Sequence, residues 1–269
     1  MPSIQEVVHI IPLGHEYDRA IKPFEKRKAD RVYILAIIDW RNFKKEMMEQ
    51  QEYFRNKVIQ YLEKKDIQVI LRDVDLFNLL DVMHNISSII VHEQNAGNIV
   101  NVNMSACGRL TSIGATLAGM SRGANVYYVS ADGYSHAVDE YNEHGLSICN
   151  RDRIFMFENF RFDEPDAAST RILVELCHKP SGMNTKDLRS ILRKMNVPGF
   201  DIDTDQPVKH LKNENKRLES TKQLMKLEKR YLQPLERSGY ISRVKSGRNN
   251  IISITEAGKY IANISGLLE

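Results

Sequence analysis

Cysteine is scarce: Cys107, Cys149 and Cys177 are the only three in 269 residues, far apart and never in a CxxC pair. An odd number so dispersed outlines neither a disulfide framework nor a zinc site, and it fits a reducing, cytoplasmic setting. Long apolar runs are missing too. No stretch approaches about 18 uninterrupted apolar residues, and the start, MPSIQEVVHIIPLG, has neither the basic opening nor the extended apolar core of a signal peptide. The expectation is a chain neither exported nor membrane-spanning. There is no Walker lysine motif and no GxGxxG at the first turn, which argues against an ordinary nucleotide hydrolase or dinucleotide enzyme. His136, His144 and the other histidines form no metal-ligand spacing with neighbouring carboxylates, so neither a metal nor a cofactor is expected.

What is present is an ordinary globular composition, 42% hydrophobic and 27% charged, in a length that suggests two domains at about 150 residues each. The net charge of +3 conceals an asymmetry. Residues 1–163 carry 19 Lys and Arg against 22 Asp and Glu; residues 164–269 carry 19 against 13. A slightly acidic half joined to a basic half suggests a nucleic-acid-binding module attached to something that takes another ligand, although scattered surface charge gives the same totals.

Along the first half, short apolar runs alternate with longer amphipathic stretches, the pattern of strands and crossover helices. Strands are predicted at 7–12, 31–37, 67–73, 98–103 and 125–129, with a further candidate at 153–157. Helical spacing is read at 18–28, 41–65, 76–93 and 110–119. The fold class that follows is α/β, a doubly wound, Rossmann-like parallel sheet with strands apolar on both faces. Residues 158–169 carry Pro165 and little periodicity, and form the best linker. The domains expected are therefore 1–163 and 164–269.

After the linker the pattern changes. Helices are read at 170–178 and, capped by Asn184 with Asp187, up to Lys194. The polar stretch 196–220 reads as an insertion or mobile loop. A third helix is expected at about 220–237, with Leu224, Leu227, Leu232 and Leu235 as its core positions, then a hairpin around KSGRNN and a last helix capped by Thr255. Three helices, a two-stranded hairpin and a helix is the order of a winged helix-turn-helix. Lys222, Lys226, Lys229 and Arg230 make a basic stripe on the third helix, and Arg243, Lys245 and Arg248 cluster on the hairpin, where phosphates and base edges would be met. A solvated face, with Glu219, Glu228 and Glu236 interspersed, is the alternative.

In the first half two loops follow strand ends at one edge of the sheet, where open parallel sheets bind ligands. One is Leu13, Gly14, His15, Glu16, Tyr17 and Asp18. The other is Asn103, Met104, Ser105, Ala106, Cys107, Gly108 and Arg109, leading into the small-residue helix LTSIGATLAGM. Backbone N–H groups at a helix start, flanked by Ser105, Gly108 and Arg109, suit an anionic group such as phosphate. The glycines equally permit tight turns, and Ser105 equally caps a helix. Cys107, beside a helix start, is a candidate for a lowered thiol pKa. Trp40, next to Asp39, is a candidate for stacking on a base or for packing at a strand end.

The run YLQPLERSGYISRVKSGRNNIISITEAGKYI resembles the recognition helix, wing and final helix of prokaryotic winged-helix transcription regulators. With HIIPLGHEYDRAIKP and NIVNVNMSACGRLTSIGATLAG, the chain resembles archaeal winged-helix regulators that carry a CRISPR-associated Rossmann fold, or CARF, domain. Ala106-Cys107 departs from the Ser-Gly or Thr-Gly of that pattern. The resemblance implies a homodimer that holds a cyclic oligoadenylate or related nucleotide across its twofold axis, with Gly14, His15, Tyr17, Asn103, Met104, Ser105, Ala106, Cys107, Gly108 and Arg109 as the ligand-binding set. It implies DNA as the partner of the second half, and a role in transcription regulation and antiviral defence. A ring nuclease that cleaves the ligand, with His15 as base or phosphate contact, is one alternative. A protein-interaction adaptor and a redox sensor with a bound dinucleotide are others.

Overall fold

The apolar runs pair in register as parallel strands: β1 (Val7–Pro12), β2 (Arg31–Ala36), β3 (Gln68–Asp73), β4 (Ile99–Asn103) and β5 (Asn125–Val129). The structure, a computed structural model, describes residues 5–38, 44–159, 163–204, 213–246 and 249–268. Spatial order is β3-β2-β1-β4-β5-β8, where β8 (Ile154–Met156) runs antiparallel to β5 at the edge. Strand order reverses between β1 and β4, and a crevice opens there at the strands' carboxyl ends.

Between the strands lie α1 (Asp18–Ile21), α2 (Lys45–Glu63), α3 (Leu79–Asn95) and α4 (Arg109–Ser121). Side chains alternate along each strand, so Val8, Ile10, Tyr33 and Leu35 pack with Val82, Ile86 and Ala115 on one face. Ile11, Val32 and Ile34 pack with Phe24, Val58 and Leu62 on the other. The small residues of α4 are packing devices: a Cβ on Gly119 would stand 2.5 Å from Val126 Cγ2 of the sheet.

Several elements depart from the sequence reading. The helix expected over 18–28 is a single α turn followed by a 3₁₀ turn, Lys22–Glu25, because Pro23 has no N–H to continue an α-helix. β3 is an edge strand, and it exposes Leu71 and Arg72 instead of burying both faces. A whole excursion went unread: β6 (Gly133–Tyr134), α5 (Val138–His144) and β7 (Ser147–Ile148). Two-residue strands give no period-2 signal, and α5 buries none of its residues, so it has no apolar stripe to detect. The segment 39–43, with Asp39 and Trp40, lies outside the described residues.

The chain divides into two compact units, residues 1–162 and 163–269. In the second, α6 (Ala167–His178) starts at its Asp166 cap and α7 (Thr185–Lys194) at an Asn184–Asp187 capping box. α8 (Asn213–Leu227) runs through a π turn, Glu228–Leu232, into α9 (Gln233–Arg237). The extra residue of the π turn lets Tyr231 and Leu232 both reach the core. The wing is β9 (Ile241–Ser246) with β10 (Asn249–Ile254), and α10 (Glu256–Ile264) closes the domain.

The stretch 196–204 is built-in structure, not a loose insertion. Phe200 is fully buried, Gln223 Nε2 donates to the Ile202 carbonyl at 3.0 Å, and Arg193 pairs with Asp203 at 3.0 Å. Val197, Phe200 and Ile202, scattered among polar residues and broken by Pro198 and Gly199, were too weak a signal. Leu224, expected in the core, is 39% exposed. The Thr255-x-x-Gly258 motif has a steric reason: Thr255 Oγ1 accepts from the Gly258 N–H, and a Cβ on Gly258 would stand 2.1 Å from the Tyr240 carbonyl oxygen. No helix among the described residues is long and apolar enough to cross a membrane.

His9 of β1 sits inside the sheet face, its Nδ1 3.0 Å from the Tyr127 hydroxyl. Burial, then the Arg27 charge, lowers its pKa from 6.5 to about 4. Between those values the unfolded chain binds a proton that the folded chain does not, so stability falls as pH falls through the window, by up to about 3 kcal/mol. Urea unfolding at a series of pH values should show this loss, and His9→Gln, which keeps a partner for Tyr127, should remove it. The wild-type-minus-variant difference is the quantity to read, because the carboxyls of buried Glu16 and half-buried Asp18, raised by burial, act with the opposite sign.

Candidate functional site

The loops after β1 and β4 meet at the crevice. Gly14 N–H donates to the Ala106 carbonyl at 2.7 Å, and a Cβ on Gly14 would already stand 3.4 Å from Cys107 Cα. Gln51 of α2 donates to the Leu13 carbonyl at 2.6 Å and fixes the first loop from the other side.

Asn103 and Ser105 form the inner brace of the second loop. Asn103 Nδ2 donates to the Arg19 carbonyl at 2.9 Å, and its Oδ1 accepts from the Ser105 N–H at 2.9 Å and the Ser105 hydroxyl at 2.6 Å. Ser105 Oγ in turn accepts from the Val129 N–H at 3.0 Å. Both side chains are buried and engaged inward, whereas Gly108 and Arg109 are exposed at the start of α4. That helix has no side-chain cap and no acidic residue in its first turn, so its leading N–H groups face outward beside the Arg109 cation. Met104 donates its N–H to the Tyr127 carbonyl and is half-buried. Cys107 is not an activated thiol: burial, then the Glu16 charge, pushes it up to about 12.

His15 and Tyr17 turn to α2. The His15 ring stacks with Phe54 at 6.1 Å between centroids, and burial holds it below the ordinary histidine range. The Tyr17 ring receives Lys57 Nζ at 4.1 Å from its centroid and meets Tyr61 edge-on.

The residue that joins these parts is Arg19, which the sequence presented only as a cation in a helical stretch. Its Nη1 donates to the Ser105 carbonyl at 3.3 Å and faces Glu16 Oε1 at 3.5 Å, and its Nη2 donates to the Tyr128 hydroxyl at 3.0 Å. Glu16 passes the linkage on to the excursion, accepting from the Ser147 hydroxyl at 2.8 Å and the Ser147 N–H at 3.1 Å. Burial raises the Glu16 carboxyl against these hydrogen bonds and the Arg19 charge. Asp18 adds a second tie, to His144 Nδ1 at 3.0 Å and to the Cys149 N–H at 2.9 Å. At the contact itself Gly145 has φ +82°, and a Cβ there would stand 2.6 Å from the Tyr17 nitrogen, so only glycine fits. No group of three or more His, Cys, Asp or Glu among the described residues is placed to hold a metal.

In the winged helix the basic positions separate into two kinds. Lys222, Lys229, Arg230 and Lys245 are exposed. Lys226 is turned inward to the Pro198 carbonyl, and Arg243 bridges both Glu228 oxygens at 2.8 Å and Glu236 at 2.9 Å, fixing the wing to the helix. Arg248 lies outside the described residues.

Removing the Arg19 guanidinium would take from the buried Glu16 carboxyl its cationic partner and leave it to the Ser147 hydrogen bonds. Arg19→Met should therefore cost about 3 kcal/mol in urea unfolding, and adding Glu16→Gln should recover part of that loss in a double-mutant cycle.

Residues 7–134 match the HFX_2341_N-like N-terminal domain family, and residues 168–266 match the DUF6293 C-terminal winged helix domain. No curated protein matches the sequence. Among solved structures, Enterococcus italicus Csm6 bound to cyclic hexa-2'-fluoro-hexa-dAMP is 12% identical at a TM-score of 0.43, over 88% of this chain and 59% of that one. Protein VC1899 from Vibrio cholerae is 12% identical at 0.41, over 96% and 64%. Can2 from Sulfobacillus thermosulfidooxidans in complex with cyclic tetra-adenylate is 12% identical at 0.38, over 81% and 57%. The chain thus spans about three fifths of the length of these structures. By its sheet and these two family matches the chain is a two-domain protein: a mostly parallel, six-stranded Rossmann-type domain similar to HFX_2341_N, followed by a winged helix of the DUF6293 C-terminal type.

Proposed function

We propose that the chain is a ligand-responsive, DNA-binding transcription regulator that works as a homodimer. Its ligand is a cyclic oligoadenylate or a related nucleotide. The observation that carries the reading is the junction of the two turns at the switch point. Gly14 and Ala106 are locked together, and the uncapped start of α4 presents Gly108 and Arg109 to solvent in the same chain as a winged helix with exposed lysines. Backbone N–H groups and one Arg are phosphate chemistry, and a cyclic oligoadenylate repeats phosphates around a ring, so two such turns would engage opposite sides of it. Ligand that prefers one arrangement of the dimer would shift the separation of the two readers and so their joint affinity for DNA.

A second reading, slow cleavage of the ligand, draws on His15. Burial keeps its imidazole neutral at physiological pH, the form a general base requires.

Titration calorimetry with cyclic tetra-adenylate tests the sensor. Binding should weaken about tenfold or more in Arg109→Ala, and no heat from the wild type at high concentration would refute that ligand. Product analysis of the same mixtures separates sensing from cleavage, since turnover that His15→Ala abolishes would favour the second reading. Gel shifts over a range of salt test the reader. Lys222→Ala and Lys229→Ala should each reduce the slope of log K against log salt by about 1.

A further inference from the structure

The outward face of α8 carries more than charge. Opposite its buried residues Gln223 and Leu227, the helix presents Leu218, Lys222, Met225 and Lys229 at successive turns. Leu218 is 57% exposed and Met225 53%, although the apolar side chains of the neighbouring core are almost completely buried. A helix face meant only for water, or only for phosphates, would carry polar residues at both positions.

Charge narrows what can cover this stripe. Lys222 is well exposed and reaches Glu219 only at 3.9 Å, and Lys229 is exposed a turn beyond Met225. The matching surface must therefore offer anions on its rims and apolar groups on its floor. The major groove of duplex DNA has that composition, with phosphates along its edges and the C5 methyl of each thymine projecting from its floor. Leu218 and Met225 are seven residues apart, about 10 Å along the helix axis, which is the span of about three base-pair steps.

We infer that Leu218 and Met225 are specificity-determining residues that contact thymine methyl groups in the major groove, while Lys222 and Lys229 hold the flanking phosphates. The domain accordingly prefers A·T-rich sites with thymines about three base pairs apart. This rests on the DNA-binding reading given above and adds to it the chemical feature that is read.

Replacing thymidine with deoxyuridine tests this on the wild-type protein, because it removes the methyl groups and leaves every phosphate and hydrogen-bonding edge in place. Affinities of the full-length chain are compared by fluorescence anisotropy on an alternating A·T duplex, its deoxyuridine counterpart and an alternating G·C duplex. The wild type should bind the deoxyuridine and G·C duplexes about fivefold to tenfold more weakly than the thymine duplex. The double variant Leu218→Gln, Met225→Gln should bind the first two alike while keeping the wild-type salt slope. Both positions are on the surface, so its urea unfolding curve should coincide with that of the wild type. Equal wild-type affinity for thymine and deoxyuridine duplexes overturns the methyl reading and leaves DNA binding intact. Failure to bind any duplex at low salt overturns the DNA-binding reading itself. Loss of self-association in the double variant, with discrimination between duplexes absent in the wild type, assigns the stripe to a second copy of the chain and overturns the proposal.

Discussion

A buried guanidinium holds together the first domain at the carboxyl ends of β1 and β4. The crevice between β1 and β4 exists because strand order reverses there, and the loops above it are joined by one backbone hydrogen bond, Gly14 N–H to the Ala106 carbonyl, rather than by a ladder. Arg19 adds the side-chain brace, with three partners: the Ser105 carbonyl of one loop, Glu16 of the other, and the Tyr128 hydroxyl on β5. A cation removed from water is costly, and it is tolerated here because its partners are fixed before it arrives. Asn103, engaged with Ser105 and the Arg19 backbone, supplies that prior order.

The same arrangement decides what kind of chemistry the crevice offers. Asn103 and Ser105 spend their hydrogen-bonding capacity inside the fold, and Cys107 is held as a neutral thiol. Donors left facing solvent are the backbone at Gly108 and the start of α4, with Arg109 beside them. Such donors need no rearrangement to receive an anion, so little of the binding free energy would be lost to ordering the site. Side chains of the sequence pattern thus act mostly as scaffold for the exposed start of α4.

This division explains what could be read from the sequence. The five parallel strands were legible because each is rich in Val, Ile, Leu or Tyr and bounded by polar residues, and the two loops followed from where those segments end. Arg19 was not legible, since a cation in a helical stretch looks the same whether it faces water or a buried carboxylate. Nor was the excursion through α5, which touches the first loop through Ser147, His144 and Cys149 yet has no stripe of its own. In the second domain, Gly258 was visible as part of a motif, but its reason, the Tyr240 carbonyl against its Cα, is a contact between residues 18 positions apart. Leu224 shows the converse error: helical spacing marks which residues are apolar, and only packing shows which of them the core has room for.

Among the described residues of the winged helix, side-chain contacts tie its elements to one another. Arg243 joins the wing to Glu228 and Glu236 at the π turn, Arg189 reaches Thr204 and Ser220 at 3.0 and 3.1 Å, and Gln223 holds Ile202. Arg243 is already paired twice within the domain, its Nη1 with both Glu228 oxygens and its Nη2 with Glu236, so a phosphate cannot recruit it without breaking these ion pairs. Deforming such a module to alter its affinity would cost several hydrogen bonds at once. Moving it as a unit costs none of them. A regulator built on such a domain would therefore gain most by changing where the domain is held.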